Sequence, residues 1–189
     1  MKKYIFLTLF CIVSLNCKSQ TTVNINTFNQ GSNTNKYFKD IENYRQRFVG
    51  VWENTTGITT FRIIFHLTNQ KPMGYPVKYY KDCIEGKFLI IENAGTPNEV
   101  IIHDSEKTYP NGISSIDVVY GVAGPTGVAG DFQDTCASGG DDVITGFFIF
   151  NVLNPNSNPL QAQWKIKKPG LLQGQYFSIP MEVIMTKVN

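Results

Sequence analysis

From Gly50 onward the chain alternates apolar and polar residues with a period of two, and this rhythm limits the fold more than any other feature. Phe61, Ile63, Phe65 and Leu67 fall on one side of an extended chain, with Thr60, Arg62, Ile64 and His66 on the other. Further strand-like runs occupy 77–83, 88–92, 99–103, 115–120, 143–153, 160–167 and 181–187. Turn residues separate them: Pro72 with Gly74, Glu85 with Gly86, Gly95 to Asn98, Asn111 with Gly112, Asn154 to Pro159, and Pro169 with Gly170. Short strands with hairpin-length joins predict an all-β fold. Meander-like spacing points to an antiparallel β-barrel of about eight strands, because closure removes exposed sheet edges.

The segment ahead of this rhythm reads as an address and a spacer. Lys2 and Lys3 precede an apolar run over 4–15, which is 12 residues and too short to span a hydrocarbon core. Residues 1–19 are therefore expected to be a signal peptide. Two cuts remain open. A lipoprotein-type cut before Cys17 would acylate that cysteine, although Ser14 and Asn16 stand where such signals prefer Leu and a small residue. A signal-peptidase cut after Ser19 would use Cys17 and Ser19 as the small residues of the site. The chain is thus expected outside the cytoplasm, as an outer-membrane lipoprotein or a periplasmic or secreted protein. A lipid on Cys17 would be its one attachment to a membrane.

Residues 20–36 are rich in Asn, Thr, Ser and Gln and predict a flexible polar tether. Phe38, Ile41, Tyr44 and Phe48 then recur at helical spacing among charged residues, which predicts a short amphipathic helix at the start of a single domain spanning 37–189.

Charge and cysteine content narrow the partners. The formal charge of +2 includes Lys2, Lys3 and Lys18, so a cut after Ser19 leaves 14 basic against 15 acidic residues, a net of −1. Nothing in that balance favours nucleic acid. Beyond the signal region stand Cys83 and Cys136; in an oxidising compartment two cysteines suggest one disulfide. Such a bridge would close a loop of 54 residues, worth about 4 kcal/mol in the chain-entropy model.

Phe48-Val49-Gly50-Val51-Trp52-Glu53 resembles the Gly-x-Trp opening of lipocalin-like barrels. That resemblance implies a Trp closing the base of the barrel and a basic side chain from a late strand stacked over it. The arginines are Arg45, Arg47 and Arg62, all early, so Lys165, Lys167 or Lys187 is left for that place. The chain also resembles a family of uncharacterised bacterial envelope proteins. The likeness lies in Cys17 to Gln20 at the end of the signal, the polar tether, the Phe-Val-Gly-x-Trp opening, and the segments Tyr79 to Asp82 and Glu85 to Phe88. Trp164 with Lys165 and the Val-Ile-Met-Thr-Lys ending complete it. It implies export and a β domain, and brings no known activity, ligand or site residue.

Chemistry leaves few marks. The sequence holds no Gly-x-Ser-x-Gly elbow, no His-Glu-x-x-His and no phosphate-binding Gly-x-x-x-x-Gly-Lys. His66 and His103 are the two histidines, and His103 beside Asp104 is the one candidate for a weak hydrolase. Residues 121–142 read as a long glycine-rich loop. Its Asp131, Asp134, Asp141 and Asp142 are hard oxygen ligands, but their spacing is not that of a calcium loop. No catalytic residue, metal or cofactor is therefore expected. Aromatic residues make up 13% of the chain, and Phe147, Phe148, Ile149 and Phe150 place bulk on both faces of one strand. The leading expectation is a non-enzymatic, lipocalin-like binding module for a small apolar ligand or an envelope protein, with Trp52, Phe61, Ile63, Phe65, Tyr79 and Phe147 as candidate pocket residues. The alternative is a structural or interaction lipoprotein with a filled core and an exposed patch near Tyr75, Tyr79 and Tyr80.

Overall fold

Alternation at period two builds one sheet here because the inward residues of successive strands share a single apolar interior. The structure, a computed structural model, describes residues 20–28, 31–106, 116–120, 126–134, 143–167 and 176–188. Its strands are β1 (Thr21–Asn24), β2 (Lys36–Lys39), β3 (Gly50–Thr56), β4 (Thr59–Met73), β5 (Tyr79–Glu92) and β6 (Val100–Asp104), followed by β7 (Ile116–Tyr120), β8 (Gly127–Asp134), β9 (Ile144–Val152), β10 (Gln161–Lys167) and β11 (Glu182–Val188). They form one sheet in the order β1-β2-β5-β4-β3-β11-β10-β9-β8-β7, with β6 beside β5 and a further contact between β5 and β7. The pairs β1–β2 and β2–β5 are parallel, and the others are antiparallel. The protein is all-β and mostly antiparallel.

Four expectations are corrected by this arrangement. The short helix ahead of the sheet is absent from the described residues: Lys36–Lys39 is a strand, and Tyr44–Arg47 is a single 3-10 turn. Asn43, left-handed at φ 55°, breaks the backbone between them. The helical spacing did not mark one buried face, since Ile41 is 55% exposed while Phe38 and Phe48 are 1% exposed. The tether is likewise not structureless, because Thr21–Asn24 pairs residue by residue with Lys36–Lys39. Its polar composition does not hinder a backbone ladder, and Ile25 provides a buried apolar anchor just beyond.

Glu85 and Gly86 do not form a turn. β5 passes straight through them, pairing Gly86 with Phe65. A Cβ on Gly86 would run into the Ile64 carbonyl, so glycine here permits close approach of two strands rather than a bend. Finally, part of the glycine-rich stretch read as a loop is β8, whose Val128, Phe132 and Asp134 are buried. Gly130 and Ala129 are small enough to sit in the ladder beside Phe148 and Ile149. Among the described residues the sheet has eleven strands.

The interior is lined from every side of the sheet. Trp52, Ile63, Phe65, Phe88, Phe132, Phe148, Phe150 and Trp164 are at most 1% exposed and belong to one cluster. Rings dominate it: Phe148 stacks on Trp164 at 4.8 Å, and Trp52 meets Phe150 edge-on at 4.9 Å. Gly146 leaves space for this packing, because a Cβ there would strike the Phe132 ring.

β3 and the last strand, β11, meet at Trp52. β11 pairs Lys187 opposite Trp52, and the Lys187 ammonium lies 5.6 Å from the indole centroid. The same Nζ donates to the Arg47 carbonyl at 3.0 Å, while the Trp52 Nε1–H donates to the Phe48 carbonyl at 2.8 Å. Gly50 explains the Gly of Gly-x-Trp twice over. Its φ is +121°, and a Cβ would sit 3.1 Å from Lys187 Cε. Burial lowers the Lys187 pKa below the ordinary lysine value. Replacing Lys187 with Ala is expected to cost about 1–3 kcal/mol by urea denaturation, and Lys187→Arg to recover most of it, since a guanidinium offers a planar face and spare donors. Equal stability of Lys187→Ala and the parent would remove the latch.

Candidate functional site

The expected pocket residues divide. Trp52, Phe61, Ile63 and Phe65 converge in the interior, where neighbouring rings pack against them: Phe61 lies 5.7 Å from Trp164, and Phe65 5.4 Å from Phe150. Trp52, Ile63 and Phe65 fill space here, whereas Phe61 also reaches a cleft at the surface. Phe147 is placed on the opposite face of β9 from Phe148 and Phe150, half-buried outside that cluster. Tyr79 belongs to a separate aromatic group, 5.5 Å from Phe28 and 5.8 Å from Phe38. Buried Lys81 sets its ammonium 4.2 Å from the Phe28 ring in that group. In the expected tyrosine patch, Tyr75 is 98% exposed at the β4–β5 turn and Tyr80 is 37% exposed.

At the end marked by the β3–β4 turn the interior reaches the surface. Phe61, Ile90, Ile179 and Pro180 form the apolar part of a cleft of about 330 Å³, with Asn54, Thr56, Thr59 and Ser178 around it. Just inside, Asp134 is fully buried and accepts the Ser178 N–H at 2.6 Å and the Ser178 hydroxyl at 2.7 Å. These bonds tie the 176–181 segment to β8, and the Trp164 Nε1–H holds the same segment through the Pro180 carbonyl at 3.0 Å.

His103 is buried nearby, its ring 5.4 Å from that of Phe88. Burial pushes its pKa down, against the upward pull of Asp134 and Asp104. A hydrolase would need a hydroxyl proton directed at the imidazole. Ser178 directs its proton at Asp134 instead, and Asp104 faces the Lys87 ammonium at 3.8 Å. The arrangement is a structural tie across the end of the sheet.

At the other end of β4 lies a polar junction that the sequence did not mark. Asp82 on β5 is 5% exposed and accepts the Tyr37 hydroxyl at 2.7 Å, the Asp40 N–H at 3.0 Å and the Gln70 N–H at 3.2 Å. Asp40 in turn accepts the Tyr44 N–H at 3.2 Å and the Arg45 N–H at 2.8 Å, capping the 3-10 turn. Burial and the bond to Asp82 push the Tyr37 pKa up, so the hydroxyl stays a donor. Arg45 is buried behind them; burial lowers its pKa, opposed by Asp40, Cys83 and Asp82. A cleft of about 340 Å³ opens beside this junction. The usable signal was the run from Lys81 to Ile84, where charged residues stand among residues the strand must bury.

Among the described residues no group of three His, Cys, Asp or Glu side chains is placed to hold a metal ion. Cys83 is buried, its Sγ 3.8 Å from the Lys81 carbonyl. Cys136, Cys17 and the whole 1–19 segment lie outside the described residues, as do Asp141 and Asp142.

Comparison with known proteins gives one match, a family of unknown function (DUF6705), over residues 1–121. The chain belongs to this family. No curated protein and no solved structure matches it. The region shared with the family carries Gly50, Trp52, the Asp82 junction and His103, whereas Asp134, Ser178 and Lys187 lie beyond it. The matched region therefore holds the whole Asp82 junction and the Trp52 side of its contact with Lys187, whereas the Asp134–Ser178 tie lies wholly beyond it.

The His103 environment has a measurable consequence. A histidine whose folded pKa is depressed stabilises the fold fully above its unfolded value, about 6.5, and this contribution is lost as pH falls through the folded value. Titration of the His103 ring by NMR is expected to give a midpoint below about 6.5, with stability declining over the same range. A midpoint at or above that value would contradict the burial argument.

Proposed function

We propose that this family member is an exported envelope protein that works as a non-enzymatic, lipocalin-like binding module. Residues 1–19 would act as the export signal, with Cys17 acylated or the chain cut after Ser19. Cys83 and Cys136 would pair in the oxidising compartment. Strand pairing supports a closed eight-stranded barrel within the sheet: β3 to β5 and β7 to β11 pair neighbour to neighbour, β11 returns to β3, and β7 touches β5 at Ile84, Glu85 and Gly86. The Gly50, Trp52 and Lys187 latch, with a 3-10 turn just before it, supports the lipocalin-like form.

The cleft at the β3–β4 end carries the binding reading. Its apolar floor and hydroxyl and amide rim suit a small apolar ligand with one polar end. Ring packing in the interior argues for a ligand seated at the mouth rather than swallowed. A second reading, a structural or interaction protein acting through its surface, is favoured by β6, where Val100, Ile101 and Ile102 are 52%, 46% and 55% exposed on consecutive residues.

Native mass spectrometry of the protein recovered from its host's envelope tests both. The expected result is an acylated chain starting at Cys17, or one starting at Gln20, carrying a non-covalent adduct that denaturation removes. Thr59→Arg, which blocks the cleft from its exposed rim, is expected to lose the adduct and keep the fold. A bare mass from the parent protein would sink the ligand reading and leave the surface reading standing.

A further inference from the structure

The cleft beside Asp82 lies at the opposite end of β4 from the mouth and has a different chemistry. Four side-chain amides, those of Asn43, Gln46, Asn69 and Gln70, line it together with Asp82. Each amide offers a carbonyl acceptor and two N–H donors. None of the four amides makes a hydrogen bond to another group among the described residues.

The carboxylate charge in this cleft is already committed, and the one cation in its lining, Lys39, is exposed to solvent. Both Asp40 oxygens hold backbone N–H groups. Asp82 has taken three donors, which leaves about one of its roughly four acceptor positions open. An anion would meet two carboxylates, and a cation would find their lone pairs largely spent. A ligand that matches amides and one fixed acceptor is neutral and rich in hydroxyl groups, because a hydroxyl both donates and accepts. Leu67 supplies an apolar patch in the same lining, suited to the C–H face of a sugar ring.

The backbone holds these amides in place. Among the described residues Asn43 and Gln70 are two of the four non-glycine residues with positive φ, at 55° and 54°, and both line this cleft. Gln70 sits in the register shift of β4 between Thr68 and Lys71, and Asp82 fixes its N–H. Bulges of this kind re-aim side chains at binding sites. We propose that the cleft binds a neutral oligosaccharide through this amide array, with Asp82 as the fixed acceptor at its floor. The proposal is independent of the ligand assigned to the mouth.

The test uses the isotope-labelled mature chain from Gln20 onward, titrated with chitotriose, cellotriose, maltotriose and mannotriose while side-chain amide resonances are followed by NMR. At least one trisaccharide is expected to shift the NH₂ signals of Asn43, Gln46, Asn69 and Gln70 saturably. The Gln46→Ala/Asn69→Ala double variant, which removes two exposed amides, is expected to weaken that binding about tenfold or more at an unchanged melting temperature. The proposal fails if none of the four sugars moves these signals, or if the double variant binds as well as the parent. A ligand at the mouth would instead shift Asn54 and Thr59, so either site can fail without the other.

Discussion

An ammonium group resting on an indole face holds the last strand, β11, against β3. Lys187 reaches the Trp52 ring and the Arg47 carbonyl at once, so β11, β3 and the turn ahead of β3 share one anchor. Gly50 provides the space, and the Trp52 indole N–H binds the same turn through Phe48. Everything inward of that point is ring packing, and rings pack in a unique way only when the strands presenting them are held in register. A one-residue slip of β11 against β3 would turn Met185 out of the core and lift Lys187 off the indole.

Much of this was legible. Alternation of Phe61, Ile63, Phe65 and Leu67 marks the inward face of β4, and Gly50 with Trp52 marks the start of β3. The resemblance to lipocalin-like barrels implied a late basic partner for Trp52, the early arginines left it to a lysine, and register decided among the lysines: Lys187 pairs across from Trp52, whereas Lys165 pairs with Glu182. What misled was composition without partners. Gly86 resembles a turn residue until Ile64 is seen to crowd it, and the glycines of β8 resemble a loop until Gly127 is seen to abut Asn151 and Gly130 to pair with Phe148. Phe38 to Phe48 resembles a helix because a four-residue strand and a 3-10 turn happen to share its spacing.

The polar junction was the least legible part, for a reason that generalises. Asp82 and Asp40 bind mainly backbone N–H groups contributed by residues 12 and 42 positions away or by a local turn, and backbone donors carry no signature in a sequence. A buried carboxylate satisfied this way is costly to expose and costly to leave half-satisfied, so it fixes geometry strongly without any recognisable motif. Asp134 is bound in a related way, taking the Ser178 N–H together with the Ser178 hydroxyl from 44 positions away.

β5 gives one edge to three partners in succession: β2 at Tyr80 and Lys81, β7 from Ile84 to Gly86, and β6 from Leu89 to Glu92. Among the described residues, two residue pairs and the Asn35 N–H on the Lys78 carbonyl form the backbone seam between the N-terminal β1–β2 unit and the body of the sheet. Such a seam is a parting line, where a piece can lift away while the long β4–β5 ladder stays zipped. The Asp82 junction is a clasp across that line, with Tyr37 and Asp40 on one side and Gln70 and Asp82 on the other. Whatever occupies the adjoining cleft grips both halves, so its occupancy and the docking of the N-terminal unit are thermodynamically one variable.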